Sequence, residues 1–296
     1  MNKNVSQAFD KLLLQLSQIE RERNGQVIIG SQSERKFRYV RNCLSNFAKE
    51  VMKRNLSTLS FNDINKRFLQ KYVDHLNGQN VDDKLQKLRR VFREASADTS
   101  VFNSVKTPIK PENELLSVNQ ITIEKIESMN RTKLTEKEEL YIDLFLFGYY
   151  TGGSTINELA SLKISSIKKG YLYCKRNISE NIAVIPLCPE AVHIINKYQS
   201  ECFGDYLLPI FTHKHISSEQ QLGRIKRVSE LTNQTLKRIS KMLKFECAIT
   251  MGMAKSIFVE HLLFNEVPYE TVAQYLGCSI ETILRYSEKM RQNYGE

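Results

Sequence analysis

A tyrosine on a short helix near the C-terminus is the side chain of this sequence best placed to do chemistry. The stretch reads Leu276-Gly-Cys-Ser-Ile-Glu-Thr-Ile-Leu-Arg-Tyr286. Gly277 is typical of a helix end and Ser279 of a new N-cap, which together predict a short helix that carries Tyr286. One arc of that helix is formed by Ile280, Ile283, Leu284 and Ser287. Tyr286 lies at the edge of this arc, where it either packs against the core or reaches a group outside it, as a nucleophilic phenol must.

Two further segments precede this one and suggest a family. The first, Phe145–Leu162, predicts a helix, a Gly-rich turn and a second helix with Glu158. The second, Tyr206–Phe211, is followed by a polar loop and a long basic helix through Leu231–Leu243. In this order the three segments resemble the tyrosine recombinases (the phage-integrase family) over roughly residues 30–292, and in pattern they are most similar to integrases of Bacteroidetes mobile elements.

The resemblance implies a specific reaction. In that family a tyrosine attacks a DNA phosphodiester, giving a 3′-phosphotyrosyl link and a free 5′-hydroxyl, without a metal or nucleotide cofactor. Two arginines neutralise the charge on the non-bridging oxygens, because their planar forks match phosphate geometry. A lysine or histidine protonates the departing oxygen. Tyr286 is the implied nucleophile.

The other catalytic positions depart from the family pattern. Gly152 stands at the first arginine position, and the box His-x-x-Arg-His reads Gly252-Met-Ala-Lys255-Ser256. Cys278 replaces a histidine or tryptophan, and Ile178 falls where the hairpin lysine is expected. Removing one such donor costs about 10²–10³ in rate, so we expect weak or lost strand transfer. The cations that could stand in are Lys255, Lys175, Arg176 and Arg285. If the cleft is otherwise intact, Gly152→Arg with Lys255→Arg is expected to restore activity.

Composition favours a polyanionic partner. Of the 296 residues 43 are Lys or Arg and 33 are Asp or Glu, for a formal net charge of +10, and this predicts binding to double-stranded DNA more than to an anionic membrane. No apolar run approaches the ~18 residues of a spanning helix, and we expect a cytoplasmic protein. The six cysteines are scattered without a Cys-x-x-Cys pair, so neither a disulfide framework nor a metal site is predicted.

The predicted fold class is mainly α with a small antiparallel sheet. Residues 1–30 should form an amphipathic helix and connector, 31–105 a helical DNA-binding bundle like the family's core-binding domain, 106–116 a linker, and 117–296 a tyrosine-recombinase-like catalytic domain. In the bundle Asp63 is predicted as an N-cap. A hairpin is expected around residues 177–181. The predicted backbone-phosphate contacts are Lys84, Lys87, Arg90, Arg224 and Arg227.

Three functions fit these patterns. The first is a DNA-integration or site-specific recombination protein that still transfers strands weakly, with other protomers as partners on DNA. The second is a catalytically silent relative that binds DNA as an accessory or regulatory factor. The third is a helical adaptor for protein contacts, against which the excess positive charge argues.

Overall fold

The computed structural model describes residues 4–23, 26–29, 32–78, 80–107, 120–176 and 181–294. The chain divides into two compact units, residues 1–112 and 113–296. Most of the predicted linker, 106–116, lies outside the described residues.

The first unit is a helical bundle with one pair of short strands. In chain order its elements are α1 (Val5–Ser17), β1 (Glu20–Arg23), β2 (Gln26–Ile29), α2 (Gln32–Glu50), α3 (Lys66–Leu76) and α4 (Val81–Glu94). The strands pair antiparallel, with Glu20 opposite Ile29. The sequence predicts only a helix and connector over residues 1–30, so this strand pair was not expected.

Helix α1 belongs to the bundle core. Val5 and Phe9 are fully buried and lie in one apolar cluster with residues of α2, α3 and α4, such as Leu44 and Leu88. The apolar side chains that recur at helical spacing along α1 are therefore buried within this unit. Helix α1 packs as part of the bundle, whereas the sequence analysis placed residues 1–30 apart from it.

The start of α3 differs from the prediction. Asn65, not Asp63, is the N-cap, since its side chain accepts a hydrogen bond from the backbone N–H of Phe68. Asp63 instead lies in a preceding 3₁₀ turn, where it accepts hydrogen bonds from Ser60 and pairs with Arg54 at 2.7 Å. These partners hold the pKa of Asp63 at about 2, with the hydrogen bond from Arg54 as the largest cause.

The second unit is built from helices around a small sheet. Its elements are α5 (Gln120–Glu127), α6 (Glu136–Tyr150), α7 (Ile156–Leu159), β3 (Ile167–Lys168), β4 (Tyr171–Lys175), β5 (Ile182–Pro186), α8 (Pro189–Tyr198), α9 (Ser218–Met242), α10 (Met253–Phe264), α11 (Tyr269–Leu276) and α12 (Ile280–Tyr294). Helix α6 is the central one, because residues on all its faces are buried from Tyr141 to Tyr149.

A buried carboxylate fixes α6 to its neighbours. Asp143 is 3% exposed, and it accepts hydrogen bonds from Arg131, from Lys197 Nζ at 2.8 Å and from the Tyr198 hydroxyl at 2.8 Å. These partners compensate the cost of taking a charge out of water. The network ties the segment before α6 and the end of α8 to the central helix.

The sheet has strand order β3-β4-β5, and both pairs are antiparallel. Along β4 the burial alternates, so that Leu172 and Cys174 face the core while Tyr171, Tyr173 and Lys175 are exposed. The predicted fold class, mainly α with a small antiparallel sheet, is confirmed. Among the described residues no helix is long and apolar enough to cross a membrane.

Candidate functional site

Tyr286 lies on α12, which begins directly after Ser279 as the sequence predicts. Of the predicted apolar arc only Ile283 is fully buried, whereas Ile280 and Leu284 remain about two-fifths exposed. Tyr286 packs against the core of the second unit without being fully covered. Burial raises its pKa above the ordinary value, while the nearby hydroxyl of Ser256 acts in the opposite direction. The phenol is therefore neutral at pH 7 and must lose its proton to act as a nucleophile.

The second box lies on the first turns of α10. Gly252 is the exposed N-cap residue of this helix, and a Cβ built on it would lie 3.9 Å from Thr250 Oγ1. Lys255 and Ser256 follow on α10 and are both partly exposed. Helix α10 packs against α12, so Ser256, which stands where the resemblance places a second histidine, lies near Tyr286.

A glycine lets the turn after α6 touch α10. Gly153 has a φ of +70°, and a Cβ built on it would lie 2.2 Å from the Cα of Lys255. No side chain fits at such a distance, so Gly153 is required both for its left-handed backbone and for the close approach. This contact places Lys255 next to the turn that carries Gly152.

Cys278 completes the cluster from the α11–α12 connection. Burial raises the pKa of its thiol, while the nearby charges of Lys255 and Arg176 act in the opposite direction. Its interaction with Tyr286 in turn contributes to the raised pKa of the phenol. The structure therefore brings together Tyr286, Ser256, Lys255, Cys278 and Arg176.

Arg176 was predicted as a hairpin cation, but its guanidinium is turned inward. The residue is 7% exposed, and its Nε donates to the carbonyl of Leu276 at 3.1 Å. Nη1 donates to Ser154 Oγ at 2.9 Å and lies 3.6 Å from Glu158 Oε2. Nη2 is within 3.0–3.2 Å of the carbonyls of Thr151, Gly152 and Tyr275. All three nitrogens of the guanidinium thus donate hydrogen bonds within the protein, and Glu158 is its nearby carboxylate.

Lys175 is the exposed cation of this hairpin. It ends β4 opposite Ile182, and its neighbours alternate so that Cys174 points to the core. The other predicted hairpin position, Ile178, lies outside the described residues. Among the predicted stand-ins, Lys255 is partly exposed and Lys175 and Arg285 are exposed, so these three side chains reach solvent while Arg176 does not.

In the first unit a groove between α2 and α4 collects positive charge. It has a volume of about 500 Å³ and its lining includes the cations Lys36, Lys87, Arg89, Arg90 and Arg93. Arg90 lies 5.4 Å from the ring centroid of Phe37, and Lys87 pairs with Asp83. The groove therefore contains two of the predicted phosphate contacts, Lys87 and Arg90, together with three further cations.

Lys84 does not belong to this groove. Its side chain is 3% exposed, and its Nζ lies 5.6 Å from the ring centroid of Tyr39. Lys84 shares the α4 face of Val81 and Leu88, a helical spacing that could have predicted its burial. The prediction of a surface phosphate contact at Lys84 is wrong for this reason.

The two cations predicted on α9 differ from each other. Arg224 donates from Nε to the carbonyl of Ile210 at 2.8 Å and is partly buried. Arg227 is exposed and lies 3.8 Å from Glu230. Arg224 thus holds the Tyr206–Phe211 segment against α9, while Arg227 remains open to solvent. Within the described residues no group of three or more His, Cys, Asp or Glu side chains could hold a metal ion.

The site can place a neutral phenol, a hydroxyl and one partly exposed ammonium around a common region. Such a set can bind an anion but lacks the pair of guanidinium forks that suits a phosphate in its transition state. Sequence reasoning found the tyrosine and the second box, but missed the roles of Gly153 and Ser154. The adjacent glycines 152 and 153 were the available signal of a close approach.

No protein-family model matches the chain, and no curated protein matches it by sequence. Solved structures do match. The Tn1549 transposon integrase in complex with transposon right-end DNA has a TM-score of 0.67 at 9% identity, over 99% of this chain and 100% of that chain. A lambda integrase dimer bound to a core site has a TM-score of 0.59 at 14% identity, over 95% and 94% of the two chains. A lambda integrase tetramer on a Holliday junction has a TM-score of 0.60 at 13% identity, over 93% of this chain and 76% of that chain. The chain therefore has the tyrosine recombinase fold.

Proposed function

We propose that this chain is a DNA-binding protein of the tyrosine recombinase type, which takes part in DNA integration or site-specific recombination with weak or lost strand-transfer activity. The observation that carries the proposal is the packing of α10 against α12, because it brings Ser256 of the second box close to Tyr286 of the nucleophile segment. The fold is that of integrases which were solved on DNA as a dimer and a tetramer. Double-stranded DNA and further protomers are accordingly the proposed partners.

The charge distribution supports DNA as the partner. The α2/α4 groove gathers five cations, of which Lys36, Arg89 and Arg93 are exposed. Phosphate contacts of this kind are independent of sequence and weaken with salt, since each releases condensed counterions. The groove is thus proposed to fix the protein on the duplex backbone, not to read bases.

The composition of the Tyr286 centre supports weak chemistry. Arg176 uses its donors on the protein, so a phosphate beside Tyr286 would depend on Lys255 and the other exposed cations. Lysine is a point charge and does not reproduce the bidentate fork of arginine. Removal of one such donor costs about 10²–10³ in the rate of reaction. We expect the absence of two to slow strand transfer further, although the two effects need not be additive.

A titration of randomised duplex DNA by fluorescence anisotropy tests the proposal. We expect binding at about 50 mM salt and a loss of about 10³ or more in affinity at about 200 mM, as for proteins with six or more phosphate contacts. Absence of binding at the lower salt, or affinity that does not respond to salt, would overturn the DNA function and favour the adaptor.

The silent accessory factor is the second candidate, and the inward-facing Arg176 favours it. A pool of nicked suicide duplexes separates the two candidates, because a strand-transferring enzyme is trapped as a covalent adduct. For the weak enzyme we expect a faint adduct that Tyr286→Phe abolishes without loss of DNA affinity, since only the nucleophilic oxygen is removed. Lys255→Ala should reduce it further. A silent factor gives no adduct in either form.

The same assay can also test variants that should form more covalent adduct than the native chain. A Cβ built on Gly252 makes only an ordinary contact, 3.9 Å from Thr250 Oγ1, so Gly252→His with Lys255→Arg can add an imidazole donor and replace the ammonium with a guanidinium fork. We expect this double variant to form more adduct than the native chain at equal DNA occupancy. Gly252→Ala with Lys255→Met is the matched control, which fills the same positions without donors.

A further inference from the structure

We propose that Arg176 is a positioning residue, which holds the C-terminal end of α11 against the turn after α6 and so fixes where α12 begins and where Tyr286 lies. The inference rests on the proposed function for the role of Tyr286, but not for the clamp itself. It assigns Arg176 a different task from that of a cation which contacts phosphate.

The acceptors of Arg176 come from two distant parts of the chain. One set belongs to the turn, namely the carbonyls of Thr151 and Gly152 with Ser154 Oγ. The other set is the carbonyls of Tyr275 and Leu276 at the end of α11. The last carbonyls of a helix have no hydrogen-bond donor within the helix. A buried cation there donates hydrogen bonds to them and also interacts favourably with the negative end of the helix dipole.

Glycines make room for the guanidinium on both sides. A Cβ at Gly152 would lie 2.8 Å from Arg176 Nη2 and 2.9 Å from the Tyr275 carbonyl. A Cβ at Gly277 would lie 3.1 Å from Arg176 Cγ and 3.2 Å from the Ala183 backbone N. Both glycines also have a positive φ, which a residue with a side chain adopts at a cost.

The clamp acts directly on the tyrosine helix. Only residues 277–279 separate the clamped carbonyl of Leu276 from the first residue of α12. Asn181 Nδ2 also lies 3.4 Å from the carbonyl of Gly277, which adds the start of β5 to the same junction. With α11 held at its end, the direction of α12 is set, and Tyr286 lies near Ser256.

This arrangement explains the glycine at the first arginine position. The guanidinium of Arg176 lies at this turn beside Glu158, and Arg176 follows directly after β4. An arginine at residue 152 would collide with it, since even the first side-chain carbon is too close. On this proposal Gly152→Arg, alone or with Lys255→Arg, should loosen the junction and is not expected to restore activity.

Hydrogen exchange followed by mass spectrometry on the full chain tests the clamp. Arg176→Met removes the donors and keeps an unbranched apolar stem, and Lys175→Met is the matched control on the exposed neighbour. In Arg176→Met we expect exchange at residues 275–286 to rise about ten- to hundredfold, the equivalent of hydrogen bonds to a charged group, while α8 stays unchanged. Lys175→Met should leave both regions unchanged.

Arg176→Lys decides between charge and geometry. It keeps the charge and is the milder change if Arg176→Met does not fold. Because an ammonium cannot bridge both sets of acceptors, we expect it to leave exchange at residues 275–286 raised and to rescue at most part of the effect. Full rescue by lysine, no change at the junction, or an equal rise throughout the second unit would overturn the proposal.

The functional arm is independent of the exchange arm. If the native chain forms a Tyr286 adduct, Arg176→Lys should lower adduct formation at saturating DNA without changing DNA affinity. Loss of affinity instead would identify Arg176 as a DNA contact and overturn the proposal. If no adduct forms at all, the strand-transfer part of the proposed function fails, and the exchange result still decides the inference.

Discussion

Replacing Gly153 with alanine should destabilise the second unit by more than the cost of a left-handed backbone alone. The added Cβ would lie 2.2 Å from Lys255 Cα, 2.3 Å from Lys255 Cβ and 2.7 Å from Lys255 N. Because most of these atoms are backbone, α10 must shift as a body. Overpacking of this kind costs about 1–3 kcal/mol, and the left-handed φ of +70° adds roughly 1–2 kcal/mol.

Gly170→Ala is the matched control for the backbone. Gly170 has a φ of +79° in the same unit, with no atom within 4 Å of the Cβ position. It should therefore show only the conformational cost, roughly 1–2 kcal/mol. For a unit of this size 1 kcal/mol corresponds to about 2–4 °C in Tm, which predicts a loss of about 2–8 °C for Gly170→Ala. For Gly153→Ala the same conversion predicts about 4–20 °C.

Calorimetry and urea unfolding of both variants measure the difference. Gly223→Ala provides a third reference, because Gly223 is exposed within α9 and has open space; it should stabilise by about 0.5–1 kcal/mol. If Gly153→Ala costs no more than Gly170→Ala, the close approach of α10 to the turn is refuted, and with it the placement of Lys255 beside Gly152.

Three further predictions concern the rest of the fold. The pKa of Asp63 is lowered from 3.8 to about 2, so its stabilisation of the first unit is fully present above about pH 4 and is lost as the pH falls towards 2. Asp63→Asn should therefore weaken the dependence of the free energy of unfolding on pH between these values, and an unchanged dependence would contradict the assignment. Asp143→Leu should destabilise the second unit by about 1–3 kcal/mol, because it leaves the buried hydroxyl of Tyr198 without its acceptor and removes the carboxylate that the partly exposed Arg131 and Lys197 share; a neutral result in urea unfolding would contradict this role. Limited proteolysis should cut between residues 103 and 116 before it cuts elsewhere, and early cuts within α6 would show that the domain boundary is wrong.

The elements of this fold could be predicted where burial follows a simple period. The stripes of α2, α3 and α4 and the continuous apolar run of α6 each indicated a helix that the structure contains. The β4–β5 hairpin was indicated by its alternation. Strands β1 and β2 were missed because the charged sequence Glu20–Arg23 has neither alternation nor an apolar face.

The site was predictable only in part, because its decisive contacts are far apart in sequence. Tyr286 and Ser256 are recognisable by their segments, but nothing local indicates that Arg176 binds the carbonyl of Leu276, which lies 100 residues away. Asp63 is a different case, because its partners are local: Ser60, three residues before it, forms a capping box with it in a 3₁₀ turn, and Arg54 pairs with it. Lys84 was missed for another reason, since its charge outweighed its position on the apolar face of α4.

The proposal that the α2/α4 groove binds the phosphates of duplex DNA is tested by removing the charges of the groove and measuring how DNA affinity depends on salt. The variant Lys36→Gln, Arg89→Gln, Arg93→Gln removes three exposed groove cations. The variant Lys49→Gln, Lys66→Gln, Lys71→Gln removes three exposed cations elsewhere in the first unit, with the same change in net charge. We expect the slope of log K against log salt to become shallower by about 3 in the groove variant, roughly 0.9 for each lost phosphate contact, and by clearly less in the control. Equal slopes in the native chain and the groove variant would contradict the proposal.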